Sequence, residues 1–218
     1  MSQAILDKLK VAVEELDVDA AVAAAKEAVA ANIPLAEAVE KGLAQGINVV
    51  SDAFDAGEAF IPQLVLAGRA FEEAVAVLSA NVSDEERKKA SKGKVLIHTV
   101  CADIHSIGKN IVGIMLGANG FEVIDLGVDV PVATVVDEAV KNNVDIIMGS
   151  ALMTTTMPAQ REIVNLLKER GLEGKFITMF GGAPTSKEWC DEIGATAWSD
   201  TATDAVTVAL ELMKKKGA

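Results

Sequence analysis

From Lys94 onward the sequence alternates short apolar runs with stretches of helical period, and this alternation restricts the fold more than any other feature. Val95–Val100, Phe121–Leu126, Asp145–Met148, Lys175–Met179 and Ala195–Trp198 read as strands. Lys109–Ala118, Val132–Asn142, Ala159–Arg170, Ser186–Ile193 and Thr203–Lys215 read as the helices that follow them. Apolar strands that each lead into a helix build a parallel sheet covered on both faces. Five of them favour the flavodoxin-like, Rossmann-like order, whose ligand crevice lies at the carboxyl ends of the strands.

The N-terminal part has a different rhythm. Ile5, Leu9, Val13 and Leu16 recur at helical spacing. Asp19 is placed to cap an Ala-rich run, Ala20–Ala31. Asn32-Ile33-Pro34 marks a turn, with Pro34 suited to the first turn of the next helix. Leu35, Val39, Leu43, Ile47, Val50 and Phe54 continue a third apolar stripe until Ala56-Gly57. Pro62 opens a fourth helix through Leu64, Phe71, Val75 and Leu78. Four short helices with short joints predict an antiparallel four-helix bundle. The stretch Asn81–Gly93 is charged and nearly free of apolar residues, which suits a linker. The expected organisation is therefore a helical domain over residues 1–90 and an α/β domain over 91–218.

The formal net charge of −12 over 218 residues argues against nucleic acid and against an anionic membrane surface, both of which need clustered Lys and Arg. No apolar run is long enough to span a bilayer, and Met1–Lys10 lacks a signal-peptide core. With only Cys101 and Cys190 there is no disulfide framework, so a reducing cytoplasm is the expected setting.

The chemistry concentrates in Cys101–Asn110, directly after the first strand. Asp103 precedes His105 by two residues. A carboxylate so placed can take the proton of one imidazole nitrogen and leave the other for a metal. Gly108 allows a bulky ligand to approach the backbone. The third strand ends in Gly149-Ser150-Ala151-Leu152 and the fourth in Phe180-Gly181-Gly182, so all three unusual loops fall on one sheet edge. His98, Cys101 and His105 supply three potential metal ligands, one short of a closed zinc site, and His98 lies within a strand. Cys101 suits a strand-end filler and Cys190 buried packing. Met153–Met157, with three threonines, reads either as a capped helix start before Pro158 or as a ligand lining. No phosphate loop and no intact Gly-x-Gly-x-x-Gly is present.

These motifs resemble the cobalamin-binding domains of methionine synthase and of the corrinoid proteins of methyltransferase systems. That signature runs Asp-x-His-x-x-Gly, Ser-x-Leu, Gly-Gly, and here it is Asp103-x-His105-x-x-Gly108, Ser150-x-Leu152 and Gly181-Gly182. The intervening 41 and 28 residues match the spacing. The resemblance extends over the helical bundle. Leu152–Met157 and Phe60–Gln63 are most similar to the methylamine corrinoid proteins.

The resemblance implies a cobalamin or related corrinoid cycling between methylcob(III)alamin and cob(I)alamin. His105 is then the metal ligand, replacing the cofactor's own base, with Asp103 as its hydrogen-bond partner and Ser150 as the next member of the relay. Gly108, Ser150, Leu152, Gly181 and Gly182 line the slot for the nucleotide tail, and Thr154 and Thr201 touch the tail further on. Ala102, Ile104 and Ser106 contact the cofactor beside His105. Phe71 and Leu78, seven apart on one helical face, cap the methyl-bearing side.

The implied role is a methyl carrier of one-carbon metabolism such as methanogenesis, with no catalytic residue of its own. Its partners are a substrate-specific methyltransferase that loads it and a second methyltransferase that passes the methyl group to a thiol or a pterin. A reductive activation protein completes the set. Methylamines are the expected donors, with methanol and methoxyaryl compounds as alternatives. A cobalamin-dependent sensor would pair this architecture with a DNA-binding domain, for which the chain has neither room nor a basic patch. A mutase subunit would lack the bundle.

Overall fold

A computed structural model of the chain describes residues 2–80 and 91–216. Most of the stretch expected as a linker, residues 81–90, lies outside the described residues. The chain divides into two compact units, residues 1–92 with 114–121 and residues 93–113 with 122–218.

The helical unit begins with α1 (Ser2–Glu14) and α2 (Val18–Ala30). Next come α3 (Leu35–Ala38), a π-helical turn at Val39–Leu43, α4 (Ala44–Asp55) and α5 (Ile61–Ser79). The cap of α2 is Asp17, not Asp19: the Asp17 side chain accepts the Ala20 N–H at 2.9 Å. An N-cap side chain reaches the amide two or three residues ahead, and Asp19 already lies inside the first turn, where its carboxylate suits the helix dipole. Pro34 stands just before α3, one position earlier than expected. The third apolar stripe holds its direction but widens at the π turn, beside the tightest approach of α1. A Cβ on Gly46 would sit 2.4 Å from the Lys10 carbonyl oxygen, and one on Gly42 3.0 Å from Leu9 Cβ. Helix α1 packs on α2 and α4, and α5 packs on α2 and α4. Leu6, Leu9 and Val13, Ala21, Ala24, Ala25 and Ala28 of α2, Leu43 and Ile47, and Leu64, Phe71 and Leu78 are buried in this unit. At the start of α5 the Phe60 N–H donates to Gln63 Oε1 at 2.8 Å, so Phe60–Gln63 caps the N-terminus of this helix.

The second unit is a five-stranded sheet in the order β2-β1-β3-β4-β5, the flavodoxin-like order. Its elements are β1 (Gly93–Thr99), α6 (Ile107–Ala118), β2 (Phe121–Asp125), α7 (Val132–Asn142), β3 (Ile146–Ser150), α8 (Pro158–Glu169), β4 (Ile177–Gly181), α9 (Lys187–Ile193), β5 (Ala197–Trp198) and α10 (Ala202–Lys216). The pairs β1–β3, β3–β4 and β4–β5 are all parallel. Helices cover the sheet, and Leu96, Ile147 and Phe180 pack with Val135, Val136 and Ile163 in one continuous core.

Strands β3 and β4 run two residues further than their apolar runs suggest. Gly149-Ser150 and Phe180-Gly181 extend the ladder; Gly149, Ser150 and Gly181 give no hydrophobic signal, while the buried Phe180 belongs to the apolar run of the strand and not to the loop after it. Ser150 is thereby level with Thr99 on one side and Gly181 on the other. Ser150 and Gly181, the first residues of two of the motifs, form the last rungs of the sheet, and the remaining motif residues lie just beyond it.

Candidate functional site

Beyond β1 the chain turns through Val100–Ser106 before entering α6. The Asp103 N–H donates to the Val100 carbonyl at 3.1 Å, closing that turn. The Asp103 carboxylate is fully buried and accepts four hydrogen bonds. Its Oδ1 takes the His105 backbone N–H at 3.0 Å and His105 Nδ1 at 2.7 Å. Its Oδ2 takes the Leu152 N–H and the Thr156 hydroxyl, each at 2.8 Å. Burial pushes this carboxyl upward, but the His105 and Leu152 amides, the His105 ring and the Thr156 hydroxyl outweigh it and hold the pKa down at about 2. Asp103 is therefore an anion at neutral pH, and each charge-assisted bond to it is worth roughly 1.5–3 kcal/mol.

The geometry fixes the imidazole. With Nδ1 held by a carboxylate, the proton of neutral His105 sits on Nδ1, and Nε2 carries a lone pair. Nε2 has no hydrogen-bond partner among the described residues, and the side chain is 47% exposed. Four apolar residues close to this pair in the chain or bonded to it are exposed: Ile104 (73% exposed) and Ile107 (66%) on either side of His105 in sequence, and Leu152, whose N–H binds Asp103, with Met153 after it. A Cβ on Gly108, in the first turn of α6, would meet nothing within 4 Å, so open space lies over it. Monomeric surfaces rarely gather exposed apolar side chains in this way without a ligand to cover them.

The relay differs from expectation at its third member. The Ser150 hydroxyl makes no hydrogen bond to Asp103, and Thr156 takes that position. Residues 153–156 coil into a turn, with the Thr156 N–H on the Met153 carbonyl at 3.0 Å, and this carries Thr156 back under the loop while Thr154 stays exposed. Ser150 instead ends β3, its carbonyl accepting the Val100 N–H at 3.1 Å. Of three consecutive threonines, only the third is buried, and their order alone does not single it out.

The remaining expected residues are spread along the same edge. Ala102 is exposed in the left-handed region, with φ +63°, and Ser106 is half-buried at the mouth of α6. Gly182 has φ +115°, and a Cβ there would sit 1.9 Å from the Ala151 carbonyl oxygen. Close backbone packing already demands that glycine. A Cβ on Gly181 would come 3.1 Å from the Ser199 carbonyl oxygen. Thr201 accepts the Asp204 N–H at 3.1 Å and so caps α10. Below the edge, the buried Gln160 amide donates to the Gly149 and Gly181 carbonyls at 3.0 and 3.1 Å and accepts the Trp189 indole N–H at 2.8 Å. Phe71 and Leu78 lie in the helical unit, both buried.

His98 is fully buried, its ring close against Gly149, and neither ring nitrogen has a hydrogen-bond partner among the described residues. Burial pushes its pKa down to about 4. No group of three or more His, Cys, Asp or Glu side chains among the described residues is placed to share a metal ion. Cys101 is exposed, not a filler, and Cys190 is buried as expected. No helix among the described residues is long and apolar enough to cross a membrane.

Two family models, each described as a B12 binding domain, match residues 93–210 and 5–79. The chain belongs to the B12-binding corrinoid proteins. Monomethylamine corrinoid protein 2 of Methanosarcina barkeri is 42% identical over 96% of this chain and 98% of its own. Trimethylamine corrinoid protein 1 of Methanosarcina mazei is 41% identical over 93% of this chain and 94% of its own. Among solved structures, a chain of the methanol:cobalamin methyltransferase complex of Methanosarcina barkeri superposes with a TM-score of 0.84 at 29% identity, over 97% of this chain and 80% of that one. A cobalamin-binding protein of Desulfitobacterium hafniense gives 0.75 at 32%, over 97% and 98%.

Proposed function

We propose that this protein carries a methyl group on a corrinoid cobalt between a methyltransferase specific for a methylated amine and a second methyltransferase that delivers it to a thiol or a pterin. The observation that carries the reading is the His105–Asp103 pair, with Nε2 unpartnered among the described residues and exposed apolar residues in the same loops. A flat, largely apolar macrocycle whose metal accepts one imidazole nitrogen fits both features. Covering side chains as exposed as Ile104 and Ile107 contributes roughly 1–2 kcal/mol apiece.

When bound, the corrinoid supplies a cobalt that accepts and gives up a methyl group. The chain's own residues bind and tune it. His105 donates its Nε2 lone pair. The Asp103 anion keeps the Nδ1 proton in place and raises the basicity of the ring. Thr156 and the Leu152 N–H hold Asp103 as an anion. Gly108, Ser150, Leu152, Gly181, Gly182, Thr154 and Thr201 form the slot and rim for the nucleotide tail, with Ala102, Ile104 and Ser106 beside the ring. Phe71 and Leu78, in the helical unit, would cover the methyl-bearing side of the cofactor. A reductive activation protein restores the working oxidation state, in a cytoplasmic setting that suits two unpaired cysteines.

The amine class rests on relatives of about equal identity named for monomethylamine and trimethylamine. The decisive experiment loads the protein with cobalamin and assays methyl transfer from each methylamine, methanol and a methoxyaryl compound, with and without the matching methyltransferase. Transfer from an amine only with its enzyme present is expected. Rapid transfer from free amine without any enzyme overturns the carrier role. In the cobalt(II) form, His105→Ala is expected to abolish the nitrogen splitting in EPR, and an unchanged splitting removes His105 as ligand.

A further inference from the structure

We propose that Asp129, on the loop between β2 and α7, is a positioning residue that holds the Asp103–His105 pair in its ligating geometry. The proposal rests on the reading of His105 as cobalt ligand. Asp129 grips the β1–α6 loop at two points. Its Oδ1 accepts the Ala102 N–H at 2.7 Å, and its own N–H donates to the Asp103 carbonyl at 2.9 Å. These are the amides on either side of the Ala102–Asp103 step, so the backbone that carries the Asp103 carboxylate is clamped from outside.

The clamp acts where the backbone needs it. Ala102 has φ +63° and Asp129 has φ +51°, both in the left-handed region. Aspartate tolerates that region, but alanine does not adopt it without outside support. The Asp129 carboxylate aimed at the Ala102 N–H is that support. Once it is removed, Ala102 can relax to negative φ, and the next residue it moves is Asp103.

The loop that presents Asp129 is itself anchored. The Gly127 carbonyl accepts the Thr99 N–H at 2.9 Å, and the Val130 N–H donates to the Thr99 carbonyl at 3.2 Å. The Thr99 hydroxyl in turn donates to the His105 carbonyl at 2.9 Å. At the loop's start, Asp125 Oδ1 accepts the Gly127 N–H at 2.8 Å, and Asp125 Oδ2 pairs with the buried ammonium of Lys109. Both sides of the His105 turn are thus referred to one short segment, Asp125–Val130. None of these bonds touches the cofactor position, so Asp129 acts through Asp103 and not on cobalt.

The test compares Asp129→Gly, which keeps the left-handed backbone and removes only the acceptor, with Asp129→Asn, which keeps both. Two readouts are used: amide hydrogen exchange over residues 101–106 in the cofactor-free protein, and nitrogen splitting in EPR of the cobalt(II)-loaded protein. Asp129→Gly is expected to speed exchange and to lower the ratio of histidine-ligated to unligated cobalt by about 10-fold or more, as loss of an outer-shell partner generally does. Asp129→Asn is expected to match wild type in both. Unchanged exchange and splitting in a folded Asp129→Gly protein overturns the proposal. So does lost splitting in a folded Asp129→Asn protein, which keeps the acceptor. If wild type shows no nitrogen splitting, the His105 reading fails, while the exchange comparison still decides whether Asp129 holds the loop.

Discussion

Replacing Thr156 by valine keeps the side chain's shape and removes one of the two donors to Asp103 Oδ2. The expected cost is about 1–2 kcal/mol in urea melts, because a buried anionic oxygen loses a partner. The Asp103 pKa should also climb from about 2 toward the usual carboxylate range, which carboxyl carbon NMR would follow. A variant that titrates like wild type would show that the hydroxyl does not hold the anion. His98 gives a prediction of opposite character. The folded protein keeps this imidazole neutral down to about pH 4, while the unfolded chain takes up a proton below 6.5. The unfolded state therefore binds more protons across that window, and stability falls as pH drops from 6.5 to 4, by about 3 kcal/mol in all. His98→Leu should remove that part of the pH dependence, measured as the difference between denaturant melts at pH 7 and pH 4. At this scale the Asp103–His105 hydrogen bond was legible, not from Asp-x-His alone, which in a loop is most often a capped turn, but from its standing in order with Ser150-x-Leu152 and Gly181-Gly182 as in the cobalamin-binding domains it resembles. Thr156 was not, since reaching Asp103 depends on how residues 153–156 coil. Asp129 was not, since it acts by a backbone contact across 26 positions of sequence that no spacing announces.

Elements were legible where side chains are large. The apolar runs of β1, β3 and β4 and the period of α7 follow directly from burial. Their ends were harder to read, because Gly149, Ser150 and Gly181 extend a strand through backbone bonds without adding apolar surface, and Phe180 stands beside a glycine pair that suggests a loop. The π turn at Val39–Leu43 leaves the stripe of apolar residues intact, so periodicity alone does not reveal it. Two glycines test how tightly these elements meet. Gly46→Ala places a methyl 2.4 Å from the Lys10 carbonyl oxygen, so α1 and α4 must part, at an expected cost of about 1–3 kcal/mol. Gly182→Ala meets the Ala151 carbonyl at 1.9 Å and must also hold φ +115°, so it should cost more than Gly46→Ala. Equal melting of the two variants would contradict this ranking.

For the whole molecule, ligand binding and stability are one quantity. A corrinoid at 100 times its dissociation constant should stabilise the α/β unit by about 2.7 kcal/mol, visible as a rise of roughly 5–10 °C in the transition that reports on the sheet. His105→Ala removes a donor to Asp103 and should lower the melting point of the cofactor-free protein; measured from that lower baseline its rise with corrinoid should be smaller than wild type's, and an equal rise in both would mean that ligation adds nothing to retention. The alternation of strands and helices specifies the sheet, and the sheet brings residues 99, 150 and 181 onto one edge, although the sequence separates them by 30 residues or more. The Gln160 amide sits just beneath that edge. With its amide group on the Gly149 and Gly181 carbonyls and its oxygen on Trp189, it works as a spacer bar whose length sets the gap between two strand tips. Gln160→Glu would turn a carboxylate toward those carbonyls and force the tips apart, so the spacing of two strand ends hangs on one side chain.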